Sequence, residues 1–163
     1  MNHIVLFEPE IPQNAGNIMR TCVATNSKLH LIEPLGFSMR DRFIKRSAVN
    51  HLANLDVTVY EDWEAFLHKN PNGVFVLLTR YGTKAPHQID VSDCEKEYFF
   101  IFGRESNGVP SEIHDDPRMT RIRLPMHPAM RSLNLANTVA IVVYEALRQQ
   151  DFPNLSFLEP KRD

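Results

Sequence analysis

The most constraining feature of this chain is a set of short apolar runs that do not alternate with polar residues, VFVLLT over 74–79 and YFFIF over 98–102. A strand with one face in water alternates apolar and polar side chains; a run that is apolar throughout has to be covered on both faces. Other strand-length runs, at 3–7, 29–33, 57–60 and 121–124, are separated by stretches long enough to hold helices. The pattern predicts an α/β fold, a mainly parallel sheet sandwiched between helices in three layers. Spacing of i, i+3, i+4 predicts a helix through Ala15, Ile18, Met19, Cys22 and Val23. The same spacing predicts a last helix through Ala136, Val139, Ala140, Val143 and Leu147, with Ser132 as its upstream N-cap. Two shorter helices are expected near 63–68 and, strongly basic, near 41–48. With 163 residues, 43% hydrophobic and 23% charged, the chain has the volume of one domain, placed at 1–150. Residues 151–163 form a tail whose Phe152, Leu155, Phe157 and Leu158 either dock or fray.

The longest apolar stretch, around 139–143, falls far short of the roughly 20 residues a bilayer needs. The opening MNHIVLFEPE has no basic region before its apolar run, so no signal peptide is expected and a cytoplasmic, membrane-free protein is. Cys22 and Cys94 stand apart, as reduced thiols. The histidines show neither H-x-x-x-H nor H-E-x-x-H, so no metal site is expected. A net charge of -2 hides an asymmetry: acid gathers in 90–97 and 112–116, whereas 118–144 contains Arg118, Arg121, Arg123 and Arg131 and no acid. Residues 40–46 (RDRFIKR) add Arg40, Arg42, Lys45 and Arg46 against one aspartate. Such surface either docks phosphates or is simply solvated.

An α/β sheet binds ligands beyond the carboxyl ends of its strands, so the loops there carry the functional information. Four are unusual: EPEIPQNAGNIMR, TRYGTKAP, FGRESNGVP and LPMHPAMRSLN. None holds G-x-G-x-x-G or G-x-x-x-x-G-K-[ST], which argues against a dinucleotide or P-loop site. Asn14, Asn17 and Arg20, three apart on a helix beginning near Asn14, would make one polar stripe at its positive end. That stripe would either receive a polyanion or sugar or merely cap and pair. Gly103 and Gly108 bracket Arg104, Glu105, Ser106 and Asn107 in a sharply turned loop with a carboxylate at its centre. Arg131, Ser132, Leu133 and Asn134 enter the last helix from a Pro125–Pro128 segment whose backbone could meet an adenine edge.

In combination, EPEIPQNAGNIMRTC, FGRESNGVP and LPMHPAMRSLNLANTVAIVVYEALRQ resemble the three motifs of the SPOUT class of RNA methyltransferases. Within that class the chain is similar to the small tRNA (cytidine/uridine) ribose 2′-O-methyltransferases of the TrmL or YibK type, from the first strand to about Gln149. The resemblance implies a C-terminal trefoil knot, S-adenosylmethionine as cofactor, tRNA as partner and a homodimer. Leu78, Thr79, Gly103, Leu124, Met126, Ser132 and Leu133 would line the cofactor pocket. Arg20 with Asn14 matches the methyl-acceptor site, Glu105 the acid of the second motif, and Arg131 and Tyr144 would approach the substrate. The implied reaction is methylation of the wobble nucleotide, cytidine or modified uridine, in leucine tRNAs. Arg104 departs from a family position often small or proline, and Arg80 and Tyr81 from positions often small and polar; either could alter affinity or nucleotide choice. The competing functions are a non-catalytic RNA-binding module, a methyltransferase acting on another tRNA or rRNA nucleotide, and a small-nucleotide enzyme.

Overall fold

The computed structural model describes residues 1–40, 44 and 54–159. The expected basic helix near 41–48 therefore lies outside the described residues, apart from a buried Ile44. Among the described residues six strands form one sheet in the order β3-β2-β1-β5-β4-β6. They are β1 (Asn2–Phe7), β2 (Lys28–Ile32), β3 (Val57–Tyr60), β4 (Val74–Leu78), β5 (Tyr98–Phe102) and β6 (Met119–Ile122). Every pairing is parallel.

Side-chain alternation on the central strands explains the continuous apolar runs. Ile4, Leu6, Phe100 and Phe102 face one core, which Ile18, Met19 and Cys22 of α1 (Pro12–Ala24) and Val139, Val143 and Ala146 of the last helix complete. Val5, Phe7, Phe99 and Ile101 face the other, closed by Trp63 and Phe66 of α2 (Trp63–Lys69) and by Ile113 of the short α3 (Ser111–His114). Both faces are covered and the strands need no polar alternation.

Three expectations are corrected. The sixth strand runs two residues earlier than 121–124: as an edge strand it leaves Arg121 in water, and Leu124 is buried beyond its end, in the loop. The last helix, α4 (Leu135–Gln149), is capped by Asn134 rather than Ser132; Asn134 Oδ1 accepts from the N–H groups of Ala136 (2.9 Å) and Asn137 (3.3 Å). The first helix begins at Pro12, before Asn14, because proline needs no N–H partner at the first helical position. The tail does both things expected of it. Phe152 and Leu155 pack on the α1/α4 core, while Phe157 and Leu158 are almost fully exposed.

Inside the sheet lies a polar chain. His3 Nδ1 and His30 Nε2 are 2.9 Å apart, and His30 Nδ1 is 2.9 Å from the Tyr60 hydroxyl. Burial pushes His3 down to about 3 and His30 to about 4. Glu97 lies 3.6 Å from His3 Nε2 and opposes this, but its carboxylate is 60% exposed and screened by water, so burial wins. The consequence for stability has a definite sign. Histidine in the unfolded chain titrates near 6.5, so from there down toward about 4 the unfolded state takes up protons that the folded state refuses. Stability is full above pH 6.5 and falls below it, by roughly 2–4 kcal/mol at pH 5, or about 5–15 °C in Tm. Thermal melts followed by circular dichroism between pH 7.5 and 5 check this, and a flat profile would contradict it.

Candidate active site

Because β1, β5, β4 and β6 are neighbours and parallel, the loops that follow them emerge side by side at one sheet edge. The strand order reverses between β1 and β5, where an open α/β sheet leaves a crevice. The four unusual loops of the sequence are these four.

Helix α1 has Ile11 at its N-cap and no side chain of its own to serve there. The acceptor comes from the loop after β5. The Glu105 carboxylate accepts from the N–H groups of Glu10 (2.9 Å) and Ile11 (3.2 Å) and from Asn14 Nδ2 (3.1 Å). An anion at this end of α1 is favoured by the helix dipole. Asn14, only 6% exposed, also accepts from Asn134 Nδ2 at 2.9 Å. One relay of side chains, Glu105 to Asn14 to Asn134, thus fastens the three motifs to one another, and Asn134 passes it to the start of α4.

The attachment is reciprocal. Glu10 accepts from the Ser106 N–H (2.9 Å) and hydroxyl (2.8 Å), which hold its carboxyl below the usual carboxylate range. Arg104 donates through Nε and pairs through Nη2 with Glu8 Oε2, both at 2.7 Å, and its guanidinium lies 5.3 Å from the centre of the Phe7 ring. Glu8 sits in the left-handed region with φ 45°, so the unusual Arg104 holds a turn that few residues favour. Beneath it, Arg104 and Gly108 exchange both backbone hydrogen bonds at 3.0 Å. A Cβ on Gly103 would fall 2.4 Å from the Gly108 carbonyl carbon, so this crossing requires glycine.

Strand register sets the remaining wall. Leu78 is opposite Phe102 on one side and Ile122 on the other, so Leu78, Gly103 and the chain leaving β6 meet at adjacent strand ends. Leu124 is buried and Leu78 and Met126 half-buried. The Thr79 N–H donates to Ile122 O at 3.0 Å. Ser132 and Leu133 are exposed, and the N–H groups of Met126, Ser132 and Leu133 have no partner among the described residues. Apolar walls with free backbone donors suit an adenosine group, which offers flat apolar faces and a hydrogen-bonding edge.

The other expected residues are placed differently. The stripe of Asn14, Asn17 and Arg20 is split: Asn14 turns inward to the relay, while Asn17 and Arg20 face water. Arg20 lies about 9 Å along α1 from Asn14 and has no hydrogen-bond or ion-pair partner among the described residues. Arg131 and Arg40 are exposed, and Arg42, Lys45 and Arg46 lie outside the described residues. Tyr144, 49% exposed, is about 15 Å down α4 from Asn134, away from this edge in the same copy. Of the acid-free arginines, Arg118 and Arg121 are paired with acids, Arg123 meets a neutral carbonyl and Arg131 is exposed. Arg118 pairs with Asp116 at 2.6 Å, Arg121 with Asp115 at 3.7 Å, and Arg123 donates to the Arg80 carbonyl at 3.2 Å. The acidic turn just upstream folds against them. Glu8, Glu10 and Ser106 lie within the motif loops, but nothing in the sequence signalled that they pair across them; Asn134 carried a signal, since asparagine at the head of an apolar period is a strong N-cap.

Residues 1–144 match the SpoU rRNA Methylase family. The tRNA (cytidine(34)-2′-O)-methyltransferase of Escherichia coli K12 is 43% identical over 155 residues, 94% of this chain and 96% of its own. A Bacillus anthracis crystal structure is 48% identical with a TM-score of 0.90, covering 98% of this chain and 100% of the other. A structure from work on 2-OH methylation of C/U34 on tRNA is 36% identical with a TM-score of 0.85, covering 93% and 97%. Likeness of this extent, from the first strand through the motif-bearing loops into the last helix, makes the chain a member of the SpoU methylase family.

Proposed function

We propose that the chain transfers a methyl group from S-adenosylmethionine to the ribose 2′-oxygen of the first anticodon nucleotide of tRNA, cytidine or a modified uridine, with leucine tRNAs as the substrates to test. The observation that carries this is the Glu105–Asn14–Asn134 relay, which assembles three loops at the sheet edge in a chain whose relatives bear that activity in their names. The cofactor supplies an electrophilic methyl carbon on a sulfonium, transferred by in-line displacement that depends on alignment. Leu78, Leu124 and Met126 offer apolar walls for it, Thr79, Gly103, Ser132 and Leu133 the backbone and polar edge. The missing Cβ at Gly103 lets the Gly108 main chain cross against it, which fixes the loop after β5 beside these walls.

Glu105 and Asn14 act as positioning residues, because their polar atoms are already engaged with one another and with the start of α1. Arg20 is the group left free for substrate. A guanidinium keeps its proton near neutrality, so Arg20 orients the nucleotide's phosphate and stabilises the developing alkoxide, the proton leaving to a phosphate oxygen or water. Arg131 and Arg40, with Arg42, Lys45 and Arg46, meet the tRNA backbone, and binding should weaken steeply with salt. A homodimer brings Tyr144 of one copy toward substrate; the exposed Ile141 and Tyr144 on α4 support an apolar contact between copies. The trefoil knot belongs to the same proposal, supported by the close crossing of residues 79–84 over the chain leaving β6, where Lys84 O accepts from Arg123 N–H at 2.9 Å. Among the described residues no helix is long and apolar enough to cross a membrane, in keeping with work on tRNA in the cytoplasm. The test is mass spectrometry of nucleosides from tRNA incubated with the protein and labelled S-adenosylmethionine. A labelled 2′-O-methyl nucleoside mapping to the first anticodon position is expected; a base-methylated nucleoside, or RNA binding without transfer, would overturn the proposal.

A further inference from the structure

Tyr81 is 61% exposed, yet the chain holds it in place with several contacts. Thr79 accepts from the Tyr81 N–H through Oγ1 (3.3 Å) and from the Gly82 N–H through its carbonyl (3.1 Å). Gly82 passes so close to the sixth strand's end that a Cβ there would lie 2.3 Å from the Ile122 carbonyl carbon. Arg123 Nη1 donates to the Arg80 carbonyl from the other side. The ring thus projects from a turn with little freedom to move.

Its surroundings are cationic and aromatic. The Arg80 guanidinium lies 4.8 Å from the ring centre, and His114 meets the ring edge to face at 5.6 Å. His114 is itself held by Asp115, through Nδ1 at 2.7 Å. Asp115 is matched by Arg121 and Asp116 by Arg118, whereas Arg80 has no carboxylate partner among the described residues. An uncompensated guanidinium beside an exposed, fixed aromatic ring is what a single-stranded nucleic acid needs: a stacking surface and a phosphate contact.

We propose that Tyr81, with Arg80, is a stacking platform for an unpaired base of the RNA substrate, next to the loops that hold the methyl donor. This deepens the function proposed above and rests on it. Tyr81 is two residues past Thr79, in the loop that follows β4, so the stacked base is that of a nucleotide other than the one whose ribose reacts. Arg80 meets a phosphate of the same strand. A rigid ring loses little entropy on contact, so stacking adds affinity without selecting one base by hydrogen bonds.

The test uses the full-length protein and an anticodon stem-loop of tRNA at fixed salt. Tyr81→Ala should raise the stem-loop Kd and the KM for tRNA about 5- to 150-fold, with donor affinity and sedimentation unchanged. Tyr81→Phe should stay within about twofold of the parent and Tyr81→Leu should resemble Tyr81→Ala, since the platform needs a π-face. 2-Aminopurine placed in the loop should be quenched by the parent protein and not by Tyr81→Ala. Arg80→Gln should flatten the slope of log K against log salt by about 0.7, one single-strand phosphate. Wild-type affinity in Tyr81→Ala, full affinity in Tyr81→Leu, or a change in sedimentation on Tyr81→Ala would overturn the proposal, the last two marking a protein-contact surface instead. Failure of the parent to methylate tRNA overturns the proposed function. Loss of stem-loop binding and quenching in Tyr81→Ala is measured without any transfer, so the two failures are told apart.

Discussion

Arg20→Ala is expected to lower kcat for methyl transfer to tRNA by about 10²- to 10³-fold, while the affinity for S-adenosylmethionine stays within about twofold. Arg20 faces water about 9 Å along α1 from the relay, with no partner among the described residues to lose, so its removal leaves the fold and donor loops intact. On the role proposed for Arg20, what disappears is the cation at the acceptor. Arg20→Lys keeps the charge but not the planar fork that can hold a phosphate and an alkoxide together, and should still fall at least about tenfold below the parent. Single-turnover kinetics with saturating donor check both variants, and near-parental turnover in Arg20→Lys would refute the assignment.

Glu105→Gln, though nearly isosteric, is the second large effect, on stability and turnover together. Three donors converge on the Glu105 carboxylate, two on Oε1 and one on Oε2. An amide offers one oxygen, so its NH₂ must confront at least one of these N–H groups. Loss of a charge-assisted hydrogen bond and the burial of an unpaired donor cost about 1.5–3 kcal/mol, or roughly 3–12 °C in Tm for a chain of this length. The start of α1 is then released from the loop after β5, and turnover should fall about 10- to 100-fold with a smaller change in donor affinity. Glu112→Gln, at the exposed first turn of α3, is the matched control and should alter neither. Melting curves and donor titrations separate the two losses; an unchanged Tm in Glu105→Gln would mean that the relay does not hold α1.

What could be read from the residues was what local periodicity determines. VFVLLT and YFFIF required coverage on both faces, and the alternation of Val5 and Phe7 with Ile4 and Leu6 between the two cores is that requirement met. The edge strand was misplaced because Arg121, Ile122, Arg123 and Leu124 carry one alternation past the end of the ladder, so the period marks the face and not where the strand stops. The motif loops were found, but not how they are joined. Asn14 reads as part of an exposed stripe on helical spacing alone; it turns inward because Glu105, 91 residues away, and Asn134, 120 away, both reach it. Arg118 and Arg121 stand in an acid-free segment only because composition counts charge by segment, whereas the turn at 115–116 folds back on them. His3 and His30 sat within apolar strands, yet only the register that sets β1 beside β2 brings them to hydrogen-bonding distance.

The central claim is that the acceptor is a ribose hydroxyl on the first anticodon nucleotide. It is tested most directly by two leucine tRNA anticodon stem-loops identical except for 2′-deoxycytidine in place of cytidine at that one position, each incubated with the protein and labelled S-adenosylmethionine. Label should enter the ribonucleotide substrate and not the deoxy substrate, which should still bind. Equal labelling of the two would contradict the account, because the methyl group would then have gone somewhere other than that oxygen.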